Sequence, residues 1–119
     1  MSEAFRECLE LFNRRRYFAC QEILEGLWRD APEEDKRFFE VLIQLAAALH
    51  LRLERTAGRR GALSLLNQAL ARMEDYRPRR LGVDVDALWR DTQTYVEGLK
   101  TGRGRSMFER FRAPKIRLA

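Results

Sequence analysis

The chain has 119 residues, enough for one domain with a single core and too few for two well-stabilised ones. Its net charge of +5 lies wholly in residues 102–119, where six basic side chains stand against Glu109 alone. The longest apolar run, Val41 to Leu51, is broken by Gln44 and His50 and falls short of the about 20 residues a bilayer crossing needs, which excludes a transmembrane helix. The first residues, Met1-Ser2-Glu3-Ala4-Phe5-Arg6-Glu7, have no hydrophobic signal core, so a cytoplasmic protein with reduced thiols is expected.

Ser2 caps a first predicted helix in which Phe5, Leu9 and Phe12 form a buried stripe opposite Glu3, Glu7 and Glu10; the helix stops near Asn13. Arg14-Arg15-Arg16 is the connection. A second helix runs from about Tyr17 to Arg29, apolar almost all round and therefore central. Cys8 and Cys20 are nearly symmetric about the connection, so an antiparallel hairpin brings them to one level as adjacent buried thiols. With no CxxC and one histidine, they lack the spacing of a zinc site.

Asp30-Ala31-Pro32-Glu33 offers a cap, a first-turn proline and an acid three residues later, marking a third helix that continues to about Thr56. Gly58 ends it and Gly61-Ala62 opens a fourth, with Leu63, Leu66, Leu70 and Met73 at helical spacing and a stop at Tyr76-Arg77-Pro78. Asp84 caps a fifth helix through Leu88, Val96 and Leu99, with Lys100 in its last turn. No strand pattern appears, and no 34-residue self-similarity of the helical-hairpin repeats. The predicted fold is all-α: a compact bundle of about five helices in antiparallel hairpins over residues 1–101, followed by a basic C-terminal tail, residues 102–119.

Phe12-Asn13, Tyr17-Phe18, Gln21-Glu22-Ile23-Leu24-Glu25-Gly26-Leu27-Trp28, Leu42-Ile43-Gln44-Leu45-Ala46 and Gly61-Ala62, in that order, resemble the DUF309 family of small bacterial and archaeal helical proteins. The resemblance covers roughly Phe5 to Tyr76. It implies an all-helical core and no assigned activity. Gln21-Glu22 stands where the family pattern begins with His-Glu, and Ala57-Gly58 where it has Gly-Asn.

Gln21, Glu22, Glu25, Trp28 and Gln44 are polar or amphipathic groups on two apolar helices, and buried polar groups must find partners, so they are expected to form a satisfied interhelical cluster. The alternative is a metal site. Glu22 and Glu25 at i, i+3 and His50 and Glu54 at i, i+4 are its candidates, but helical di-metal centres use two histidines and this chain has one. The same single histidine defeats any Ser/His/Asp or Cys/His arrangement, and no phosphate loop is present. Gly58-Arg59-Arg60-Gly61-Ala62 reads as an inter-helix turn rather than an anion site.

In the tail, Arg103, Arg105, Arg110, Arg112, Lys115 and Arg117 interleave with Phe108 and Phe111, a composition suited to a polyanion, to a protein partner, or to folding back on the bundle or on a second copy. Without a catalytic constellation or an implied cofactor, the expected function is a non-enzymatic interaction or structural module. A metal-dependent enzyme, or weak nucleic-acid binding through the tail, is the alternative.

Overall fold

A computed structural model of the protein describes residues 1–55, 58–101 and 112–119. The helices are α1 (Glu3–Asn13), α2 (Tyr17–Asp30), α3 (Glu33–Leu49), α4 (Arg59–Met73) and α5 (Val85–Lys100). A π-helical turn, His50–Glu54, prolongs α3, and a 3-10 turn, Glu74–Tyr76, prolongs α4. Between α4 and α5 lies a short antiparallel hairpin of β1 (Arg79–Arg80) and β2 (Val83–Asp84). Among the described residues no helix is long and apolar enough to cross a membrane.

Contacts between the helices give the directions. Cys8 meets Cys20, Trp28 meets Glu40, Tyr17 meets Glu54, Glu40 meets Arg72 and Gln44 meets Gln68. Partners that step apart in sequence while staying close in space require antiparallel neighbours, so each of the first four helices packs against the next as a hairpin. The middle helix, α3, has buried residues almost all round: Phe38, Val41, Leu42, Leu45, Ala46, Ala48 and Leu49. Edge-to-face pairs lock α1 to α3 and to α2. Phe5 meets Phe39 at 5.5 Å and 85°, and Phe12 meets Tyr17 at 5.3 Å and 81°.

The helix ends depart from the sequence reading in instructive ways. Ser2 caps α1 through its hydroxyl, accepting from the Phe5 amide at 3.1 Å, and Asp84 caps α5 on the Ala87 amide at 2.9 Å, both as the sequence suggests. Asp30, however, belongs to the last turn of α2, and α3 starts after Pro32 without a side-chain cap. Glu33, Glu34 and Asp35 supply negative charge to that first turn instead. Gly58 sits just before α4, which begins at Arg59 rather than at Gly61.

The hairpin escapes sequence reading because two-residue strands carry no alternation. Its turn is Leu81-Gly82, both at positive φ (50° and 79°), the backbone that a two-residue hairpin connection demands. The Arg77–Pro78 peptide preceding it is cis. Part of the segment that the sequence sets apart as a tail is built into the body: Ala113 and Ile116 are buried in the main hydrophobic cluster, and Leu118 bridges Val83 as a short third edge to the hairpin. The Asp84 amide donates to the Arg117 carbonyl at 2.8 Å, and the Ala119 amide to the Gly82 carbonyl at 2.8 Å.

Asn13 clamps this returning segment with both ends of its amide, donating to the Ile116 carbonyl at 2.8 Å and accepting from the Ile116 amide at 2.7 Å. Replacing Asn13 with Ala leaves two backbone groups of Ile116 without partners. The expected cost is about 1–3 kcal/mol in urea denaturation, with faster hydrogen exchange at Ile116 and unchanged exchange within α3.

Candidate functional site

Polar side chains from α2, α3 and α4 meet along one lateral seam. On α3, Glu40 and Gln44 are four residues apart and share a face; on α4, Ser64, Gln68 and Arg72 repeat at the same spacing and face them. The Trp28 indole N–H donates to Glu40 Oε2 at 3.0 Å, and Arg72 donates to Glu40 Oε1 at 3.2 Å and to Gln44 Oε1 at 3.1 Å. Gln44 then donates to Gln68 at 2.9 Å, and Gln68 to the Ser64 hydroxyl at 3.2 Å. Lys36 lies over the Trp28 ring at 4.8 Å.

This seam is half-open rather than sealed. Trp28 is 36% exposed, and the side chains of Glu40 and Arg72 are each 42% exposed. The Trp28 donation, followed by the Arg72 hydrogen bond and charge, holds the Glu40 carboxyl below the usual glutamate range, against the opposing effect of partial burial. Both its oxygens have donors. A carboxylate so held is a poor general acid and has little capacity left for a ligand.

Two of the five cluster residues read from sequence, Trp28 and Gln44, therefore join, through Glu40 and Arg72. Glu22 and Glu25 do not: both are exposed. With Phe18 and Arg29 they form a stripe at i, i+4, i+7 and i+11 on the side of α2 away from its buried residues Tyr17, Cys20 and Leu24. Gln21 is half-buried, and among the described residues none of Gln21, Glu22 and Glu25 makes a side-chain hydrogen bond or ion pair. Sequence reading misses Glu40, Gln68 and Arg72; the signal that finds them is the repeated four-residue polar spacing on both α3 and α4.

His50 and Glu54, the other pair read as metal candidates, meet in a different role. Helix α2 begins after Arg16, whose side chain provides no cap. Glu54 Oε1 accepts from the Tyr17 and Phe18 amides at 2.9 and 3.1 Å, and from His50 Nδ1 at 3.0 Å. A carboxylate at a helix N-terminus satisfies orphan donors and opposes the positive end of the helix dipole. The π-turn places it, its Arg55 amide reaching back five residues to the His50 carbonyl at 2.9 Å. Among the described residues no three His, Cys, Asp or Glu side chains come together as a metal-binding group.

Cys8 and Cys20 approach to 3.4 Å between sulfurs, both fully buried free thiols that share a hydrogen bond, as the hairpin symmetry implies. The mutual hydrogen bond, burial and charge repulsion push the Cys8 thiol far up, so it is held as an inert thiol. Of the basic residues at the C-terminal end, Arg103, Arg105 and Arg110 lie outside the described residues, as do Phe108 and Phe111. Arg112 is exposed, Lys115 donates to the Asn13 carbonyl at 3.1 Å, and Arg117 pairs with Asp91 at 2.9 Å. Arg59, in the glycine-flanked turn, is committed to the Leu99 carbonyl at 3.1 Å near the end of α5.

A cleft of about 420 Å³ opens where the start of α1, the α2–α3 connection and the hairpin tip converge. Phe5, Leu27, Ala31, Pro32, Phe39 and Leu81 form its apolar lining, with Asp30 and Asp35 alongside. Asp35 is paired with Arg80 at 2.7 Å.

Fold and site define a small helical-hairpin domain whose polar groups tie helices together. The chain belongs to the DUF309 family: the family model, described as a domain of unknown function, matches residues 5–65. It is similar to the uncharacterized protein YpuF of Bacillus subtilis (strain 168), with 35% identity over 99 residues, covering 78% of this chain and 54% of that protein. The chain thus spans about half the length of this relative. No solved structure matches it.

Replacing Gln44 with Leu removes a partner from both Arg72 and Gln68, and about 1 kcal/mol of stability is expected to be lost in urea denaturation. Glu40 predicts a sign. Its folded-state pKa is depressed, so its contribution is complete above the ordinary glutamate range and fades as pH falls through the lowered value. With a side chain this exposed, the loss is under about 1 kcal/mol. Stability measured from about pH 6 to about pH 3 should decline less in Glu40→Gln than in the parent.

Proposed function

We propose that this domain is a non-enzymatic interaction module that holds an apolar anchor of a protein partner in the cleft beside Leu27. The observation that carries the reading is the cleft itself, about 420 Å³ with an apolar lining of side chains drawn from four separate elements. Its surroundings favour one kind of partner. Asp30, Glu33 and Glu34 are exposed around the α2–α3 connection, so a segment with basic residues flanking its apolar anchor is complementary.

The chemistry of the titratable groups supports binding over catalysis. Glu40 is held ionised with both oxygens occupied, Glu54 is committed to the start of α2, and Glu22 and Glu25 stand in solvent away from the cleft. A cytoplasmic setting fits the adjacent free thiols of Cys8 and Cys20.

Titration with short peptides that carry a leucine or phenylalanine between lysines, followed by amide chemical shifts, tests the proposal. Shifts should concentrate at Leu27, Ala31, Phe39 and Leu81. Leu27→Glu should weaken binding at least about tenfold; because Leu27 also packs against the hydrophobic core, some thermal stability is lost with it, and binding is compared well below the variant's thermal midpoint. Equal binding by Leu27→Glu, or no binding by any peptide of this class, overturns it.

A further inference from the structure

The opposite end of the α1–α2 hairpin carries a second surface of contrary charge. Arg14, Arg15 and Arg16 are exposed, and among the described residues their side chains make no hydrogen bond or ion pair. Lys115 adds a fourth cation through its hydrogen bond to the Asn13 carbonyl. Next to them Phe18 is 54% exposed, and its ring is backed by the His50 imidazole at 5.3 Å between centroids, tilted by 35°. One aromatic face is braced and the other is open.

The backbone at this point favours charge over stability. Helix α1 ends in the paired bonds of a Schellman turn: the Arg16 amide donates to the Leu11 carbonyl at 2.8 Å and the Arg15 amide to the Phe12 carbonyl at 3.0 Å. Arg15 occupies the left-handed position of that turn, φ 64°, where glycine is the usual residue and a side chain is strained. An arginine kept where glycine fits better is unexplained by the fold. The neighbouring π-turn is a second irregularity, of a kind frequent at functional sites. The nearby carboxylate of Glu54 is already opposed by the amides of α2 and by His50.

We infer that this end binds single-stranded nucleic acid, with Arg14, Arg15 and Arg16 on successive phosphates and a base stacked on Phe18. Guanidinium forks match phosphate oxygens, and an aromatic platform beside cations is the recurring device for holding unpaired bases without sequence readout. An acidic protein segment needs the charges but gains little from an isolated flat ring. A membrane surface needs more exposed apolar side chains than Phe18 alone.

The test measures fluorescence anisotropy of a labelled mixed-sequence DNA single strand with the full chain, between about 50 and about 200 mM salt. Binding should weaken steeply with salt. The triple substitution R14Q, R15G and R16Q should reduce the steepness of log Kd against log salt by about 2, at about 0.7 for each phosphate no longer neutralised. Phe18→Ala should weaken binding about tenfold with the salt slope unchanged. Arg15→Gly alone should weaken binding yet raise the thermal midpoint by relieving the left-handed strain, so a fall in affinity cannot be ascribed to misfolding.

No binding by the parent chain at low salt overturns the inference. So does unchanged binding by the triple variant alongside loss in a variant with Arg103, Arg105 and Arg110 replaced by Gln, which assigns the activity to those residues. Equal affinity of parent and Phe18→Ala, with tight binding to polyglutamate or to anionic lipid vesicles, replaces nucleic acid with a polyanion held by charge alone.

Discussion

The N-terminus of α2 has no cap of its own, and much of the molecule depends on how that deficit is met. Arg16 precedes the helix with a side chain of the wrong chemistry and the wrong sign for its dipole. Glu54 makes good the defect from 37 residues away in sequence, by bonding the Tyr17 amide. One carboxylate oxygen thereby joins the end of α3 to the start of α2. It fixes the level at which the two helices pair, and through the tight Arg14–Arg16 connection it fixes α1 as well. The Cys8–Cys20 approach and the reach of Asn13 to Ile116 both follow from that level.

At the other end of the same helix pair, Trp28 meets Glu40, so α2 and α3 are pinned near both ends by hydrogen bonds while apolar side chains fill the space between. Such bonds contribute about 1 kcal/mol each, small beside the burial of Tyr17, Leu24, Leu42 and Leu45, but burial is indifferent to small slips along the axis and hydrogen bonds are not. The seam of Glu40, Gln44, Gln68 and Arg72 does the same for α3 and α4. Most of the residues that carry the family resemblance therefore have structural work. Phe12, Tyr17, Leu24, Leu42, Leu45, Ala46 and Ala62 are core, Asn13 is a clamp, and Trp28 and Gln44 set register.

The helices were legible because Phe5-Leu9-Phe12 on α1 and Leu63-Leu66-Leu70 on α4 repeat at a period that only a helix uses. Glu22 and Glu25 were misplaced for the converse reason: α2 is apolar nearly all round, so its sequence does not say which face is inward, and only the packing of Tyr17, Cys20 and Leu24 decides it. Arg72 was invisible as a partner of Glu40 because nothing local links residues 32 apart; their meeting follows from the length of the α3–α4 connection and the antiparallel register. The hairpin and the returning C-terminal strand were hidden by brevity. Pairing of two or three residues leaves no periodic trace, and Ile116 reads as one apolar residue among cations until Asn13 and Val83 are placed beside it.

Charge at the two ends of the α1–α2 hairpin sharpens the distinction between structural and functional residues. Acids in the first turn of α3 have the sign that its dipole favours, and basic residues after the end of α1 have the sign that suits α1 taken alone. For α2 the same charges are reversed: arginines crowd its positive end and Asp30 sits at its negative end, each opposing the dipole by about 0.3–1 kcal/mol where exposed. Glu54 offsets the first of these at the backbone amides, yet it leaves the guanidinium groups in solvent. Two antiparallel neighbours thus impose opposite demands on one short turn, and glycine or asparagine at Arg15 would relax the backbone and dilute the positive charge together. That the sequence keeps three arginines there, and an open aromatic ring immediately after them, is the feature that helix energetics leaves unaccounted for and that binding chemistry explains.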